Sequence, residues 1–192
     1  PDDSIGISSL EGLKYDPSFD MENGIVAYAF ADVRGKNTFS FTIDKVYDAQ
    51  KALRGVARKT DVIYAPKLCP GTDLYLKTEN LQITGSFKVR GAYYKMTRLS
   101  KEEKARGVVA CSAGNHAQGV ALAATKMGAK SVICMPDGAP ISKVEATKAL
   151  GAEVVLVPGA YDDAYAYACK LKEETGATMI HPFDDDEVIA GQ

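Results

Sequence analysis

From residue 107 onward, short apolar runs alternate with stretches whose apolar residues recur at helical spacing. Val108–Cys111, Ser131–Met135, Glu153–Val157 and Thr178–His181 read as strands. Between them, Asn115–Met127, Ile141–Leu150 and Asp162–Thr175 read as helices. Gly128, Gly151 and Gly176 stand just past these three helices, where a left-handed residue closes a helix. Strands alternating with helices predict an α/β fold, a parallel doubly wound sheet with right-handed connections. In such a sheet, ligands bind beyond the C-terminal ends of the strands.

The preceding segment carries different signals. Thr42 can cap a helix whose apolar residues Val46, Ala49, Leu53 and Val56 form one stripe. Asp61 to Leu68 reads as extended, Cys69-Pro70-Gly71-Thr72 as a turn and Asp73 to Lys77 as a strand. Next comes a helix, Ser86 to Leu99, with Ser86 as its cap, and then a capped charged helix, Ser100 to Arg106. Residues 1–41 are least informative: Asp16-Pro17 and Glu22-Asn23-Gly24 read as turns and Ile25 to Val33 as one strand. At the other end, Asp184 to Gln192 opens as a helix, its acids at the favourable end of the dipole.

Charge and composition narrow the class of partner. With 23 basic and 25 acidic residues the chain is nearly neutral, which favours a small-molecule ligand over nucleic acid or an anionic membrane. No apolar run approaches the ~20 residues that span a bilayer. The cysteines Cys69, Cys111, Cys134 and Cys169 are scattered without a C-x-x-C pair, so neither a metal site nor a disulfide framework is expected, and a cytoplasmic setting is.

One lysine stands out chemically. Lys88 lies in the first turn of a helix directly behind a strand, where the helix dipole opposes an ammonium and lowers its pKa. A neutral lysine amine forms Schiff bases with aldehydes, and pyridoxal 5'-phosphate is the aldehyde cofactor that uses one. Ser112-Ala113-Gly114-Asn115-His116 follows a strand and opens a helix, where free backbone amides hold anions.

Glu79-Asn80-Leu81-Gln82, Thr84 to Ala92 and Ser112 to Ala117, taken together, resemble the fold-type-II pyridoxal-phosphate enzymes and, among them, the threonine/serine dehydratases. The likeness runs from about Thr42 to Gln192. It implies that Lys88 carries the cofactor and acts as catalytic base, with Phe87 buried beside the ring. It further implies that Asn115 bonds the ring's phenolic oxygen, and that Ser112, Ala113, Gly114, Asn115 and His116 hold the substrate carboxylate. His116 is expected to orient this loop rather than move protons, and His181 to be structural. Arg90 is expected either to counter a phosphate or to pair with Glu79. By the same likeness, 42–83 begin a large domain, 84–178 form a small α/β domain and 179–192 return to the large one, after an extension over 1–41.

The implied activity is deamination of L-threonine and L-serine to 2-oxo acids and ammonia, in a homo-oligomer. The family's phosphate-cradling glycine loop and ring-nitrogen partner are not in this sequence, so the 192 residues alone are expected to be inactive. Three alternatives compete. One is a racemase of the same fold, although in the serine racemases that the chain resembles a serine stands where this chain has Ala113. Another is a non-catalytic remnant that binds a ligand or partner. A nicotinamide-binding domain is disfavoured, because no G-x-G-x-x-G follows a strand with an acid downstream.

Overall fold

The computed structural model describes residues 42–192, so the strand and turns expected over residues 1–41 lie outside it. Helix α1 (Ile43–Ala52) leads to strands β1 (Val62–Tyr64) and β2 (Tyr75–Lys77), a one-turn helix (Glu79–Leu81) and helix α2 (Lys88–Thr97). After α3 (Lys101–Arg106) come β3 (Val108–Cys111), α4 (Asn115–Lys126), β4 (Ser131–Pro136), α5 (Ile141–Ala149), β5 (Glu153–Val157), α6 (Tyr161–Thr175), β6 (Thr178–Met179) and α7 (Asp186–Gly191).

The four later strands form one parallel sheet, ordered β5-β4-β3-β6. Alternation along the strands divides its residues between two faces. Val108, Ala110, Ile133 and Met135 pack against α2, α4 and α5 through Met96, Val120, Ala124 and Val144. Val109, Cys111 and Cys134 face α6 through Ala164 and Ala168. Helices therefore cover both faces, as the alternating pattern predicts. The chain runs β3, β4, β5 to one side and then crosses to β6 on the other, so the strand order reverses at the C-terminal ends of β3 and β6. A doubly wound sheet opens its ligand crevice at this point.

Several local expectations hold and several need correction. Ser100 accepts from Glu103 N at 3.1 Å while Glu103 accepts from Ser100 N at 2.7 Å, a reciprocal cap on α3. Gly128, Gly151 and Gly176 all have positive φ, at 66°, 91° and 68°. The extended segment 61–68 narrows to β1, which pairs antiparallel with β2 apart from the main sheet. β6 ends at Met179: its register with β3 covers Thr178 and Met179, and Ile180 N adds one last bond to Val109 O at 2.9 Å. Thr42 holds the cap position of α1, yet its side chain makes no capping bond.

Ser86 is not the residue that opens α2. The helix starts at Lys88 with Phe87 in the cap position, and Ser86 Oγ lies 3.4 Å from Lys88 N. Phe87 was expected to be buried and is 42% exposed instead. It stands about 200° around the helix from Val89, which is fully buried, so the two side chains leave α2 on opposite sides.

Candidate active site at the strand-order reversal

Helix α2, which opens at Lys88, crosses α4 with almost no space between them. A Cβ at Gly119 of α4 would lie 2.9 Å from Lys88 O and 3.0 Å from Val89 N. At Gly91 of α2 a Cβ would meet Val188 O of α7 at 2.6 Å. Glycine inside a helix costs up to about 1 kcal/mol relative to alanine, so both positions exchange helix stability for close approach to α2.

The Lys88 amine is half-buried, and burial holds its pKa below the ordinary lysine value. Burial acts in the same direction as the helix dipole. Nζ donates to Pro182 O at 2.6 Å and to Gln192 Oε1 at 2.8 Å. These two acceptors take two of the amine's hydrogens, and the lowered pKa makes its lone pair easier to free. Lone-pair availability is what a nucleophile or base requires. The Phe87 ring centre lies 5.2 Å from the same nitrogen, so this exposed ring flanks the amine.

Two histidines brace the turn that supplies the Pro182 carbonyl. His116 is 3% exposed, and its Nε2 donates to Ile180 O at 2.8 Å. Burial, with the nearby Lys88 and His181 charges as smaller contributions, overrides that bond and pulls its pKa down to about 4. His116 is therefore neutral at pH 7, and its Nδ1 has no hydrogen-bond partner among the described residues. His181 Nδ1 accepts from Asp184 N at 2.7 Å and Phe183 N at 3.3 Å, which gives it the structural role expected.

The loop after β3 stands beside this turn. Ser112 Oγ accepts from Gly114 N at 3.2 Å, shaping the entry into α4, and Ala113 is half-buried behind it. Asn115 is exposed in the first turn of α4, where backbone N–H groups have no helical partner. Its Oδ1 accepts from Lys143 Nζ at 3.0 Å. Arg90, two residues after the lysine, grips Glu79 with both arms, Nε to Oε2 and Nη2 to Oε1, each at 2.8 Å. Of the two roles weighed for Arg90, the structure shows the ion pair.

Pro182, Gln192, Gly119 and Lys143 were missed from sequence. The two mid-helix glycines were a usable signal, since a glycine inside a helical pattern marks a close approach. For Pro182 and Gln192 no local signal existed, because they meet Lys88 only through the fold.

The model of the pyridoxal-phosphate dependent enzyme family matches residues 53–192. The chain belongs to that family. Its cofactor is accordingly pyridoxal 5'-phosphate. An L-threonine ammonia-lyase of Thermotoga maritima is 52% identical over 153 residues, 79% of this chain and 38% of that protein. The catabolic L-threonine dehydratase TdcB of Escherichia coli K12 is 46% identical, over 78% of this chain and 46% of that protein. Among solved structures, the processed form of threonine deaminase isoform 2 from Solanum lycopersicum superposes with TM-score 0.73 at 41% identity, over 78% of this chain and 42% of that one. Maize serine racemase superposes with TM-score 0.76 at 34% identity, over 80% of this chain and 47% of that one. The chain thus spans less than half the length of these relatives.

The residues present suit the cofactor. A half-buried primary amine of lowered pKa matches its aldehyde, and an uncharged amide at a helix N-terminus matches its ring oxygen.

Proposed function

We propose that the protein containing this chain deaminates L-threonine, and L-serine, by β-elimination, releasing 2-oxobutanoate or pyruvate and ammonia. The observation that carries the proposal is the Lys88 amine, its pKa lowered by burial, held by two acceptors and set where the strand order reverses. The names of the threonine-specific relatives support threonine as substrate.

In this scheme Lys88 would hold the cofactor through its aldehyde carbon and would serve as the base that takes the α-proton. When bound, pyridoxal phosphate supplies a ring that accepts the electrons left at the α-carbon. Asn115 would donate to the ring oxygen. Ser112, Ala113, Gly114 and the first amides of α4 receive the substrate carboxylate. Neutral His116 orients the loop and the turn opposite, and Phe87 flanks the amine. Cys111 and Cys134, buried thiols pushed up to about 11, suit a reducing compartment such as the cytoplasm.

Maize serine racemase favours a second reading, amino-acid racemisation. Ala113 argues against it, since a methyl group cannot return a proton to the face opposite Lys88.

Borohydride reduction of the holoprotein followed by peptide mapping tests the assignment. The phosphopyridoxyl group is expected on Lys88, with loss of the yellow colour. Its recovery on another lysine would refute the site, and an intact holoprotein that releases no ammonia from L-threonine would refute the reaction.

A further inference from the structure

We propose that Lys143 is a positioning residue that fixes the Asn115 amide as a donor toward the site. The proposal rests on the role given above to Asn115. Lys143 Nζ donates to Asn115 Oδ1 at 3.0 Å, joining the first turns of α5 and α4. An ammonium has hydrogens to give and none to accept, so it can face only the oxygen of an amide. The Asn115 NH2 must then point the other way, with both hydrogens available to an electron-rich acceptor such as a phenolate oxygen. Without Lys143 the two ends of the amide, nearly equal in size, can exchange by rotation, and half of those arrangements present an acceptor to an acceptor.

Independent features indicate a built contact. A lysine in the first turn of α5 sits at the positive end of the helix dipole, where it disfavours its own helix. Its backbone is nonetheless held firmly: Lys143 N donates to Pro140 O at 2.9 Å, and Lys143 O accepts from Thr147 Oγ1 at 2.8 Å. Thr147 is fully buried and the adjacent Val144 lies in the core, so α5 cannot roll to move the ammonium away. β3 and β4 are in-register neighbours, which brings the starts of α4 and α5 together at one end of the sheet.

Two measurements test this, one of them free of cofactor. In the ¹⁵N-labelled chain without cofactor, the Asn115 side-chain NH2 signals, assigned by their loss in Asn115→Asp, are expected to shift and broaden in Lys143→Met. They should keep their positions in Lys143→Arg, which is also a donor only. In the holoprotein, Lys143→Met is expected to weaken pyridoxal phosphate binding by about five- to tenfold, the scale of one hydrogen bond, and Lys143→Arg to restore it. In an Asn115→Ala background, Lys143→Met should have no further effect. Unchanged Asn115 signals in Lys143→Met, or an equal loss of affinity with and without Asn115, would overturn the proposal. If the signals respond while the native holoprotein takes up no pyridoxal phosphate on Lys88, the functional reading fails and the positioning role stands.

Discussion

Lys88 and Pro182 stand 94 residues apart in the chain, yet Lys88 Nζ lies 2.6 Å from the Pro182 carbonyl oxygen. The contact joins the start of α2 to the turn after β6 across the sheet's point of reversal. Whatever moves either partner should therefore be read out at the amine.

Gly119→Ala should move Lys88. Its methyl would press on backbone atoms of Lys88 and Val89, which cannot swing aside as a side-chain tip can. Overpacking of this kind costs about 1–3 kcal/mol, so the urea midpoint should fall and cofactor affinity should fall with it. Gly138→Ala is the control: a Cβ there meets nothing within 4 Å, and both quantities should stay at native values. A native-like Gly119→Ala would mean that α4 and α2 are not held this closely in solution.

His116 should make stability fall as the pH drops from 6.5 to about 4. Its folded-state pKa is depressed to about 4 from an ordinary 6.5, so in that window the unfolded chain binds a proton that the folded chain refuses. The loss approaches about 3 kcal/mol across the window and stops growing below it. Urea unfolding at a series of pH values should show this slope in the native protein and a flatter one in His116→Gln. Equal slopes would place the imidazole in contact with water.

Glu79 sets a second, lower window. Burial opposes its ionisation, but hydrogen bonds from Arg90, Thr60 and Gln82 outweigh burial and hold the carboxyl at about 2. Its contribution is complete above the ordinary 4.5 and is lost as the pH falls toward 2. Arg90→Met should cost about 2 kcal/mol at pH 7, because the carboxylate is left partly buried without its partner. Adding Glu79→Gln should recover part of that cost. A double variant less stable than Arg90→Met would show that Glu79 has a further role in folding.

Ala113 should decide the fate of the α-proton. The intact holoprotein given L-serine should accumulate pyruvate with at most traces of D-serine on chiral chromatography. Ala113→Ser should raise the D-serine fraction, since a positioned acid commonly contributes ~10²–10⁴-fold to a proton transfer. D-serine formed by the native protein as fast as pyruvate would favour racemisation over elimination.

The sequence by itself determined the alternating strands and helices, the glycine helix ends and the placement of Lys88 and Asn115 at helix starts. These depend on spacing and backbone freedom within a few residues, and local chemistry enforces them wherever the segment lies. Strand order was beyond its reach. That β6 crosses back beside β3 depends on which faces α2, α4 and α6 cover, a balance of contacts between distant segments. The same limit applies to Phe87, which the sequence predicts to be buried, and to the setting of Lys88. The motif locates both residues, but only the packing of Val89 and Gly119 turns the ring outward and the amine inward. That burial lowers the Lys88 pKa was not legible locally, because burial is a property of the assembled helices, whereas the dipole that pushes the same way is a property of one. Pro182, Gln192 and Lys143 carry no local mark of their roles; each acts through one atom that the folded chain delivers to a partner far away in sequence.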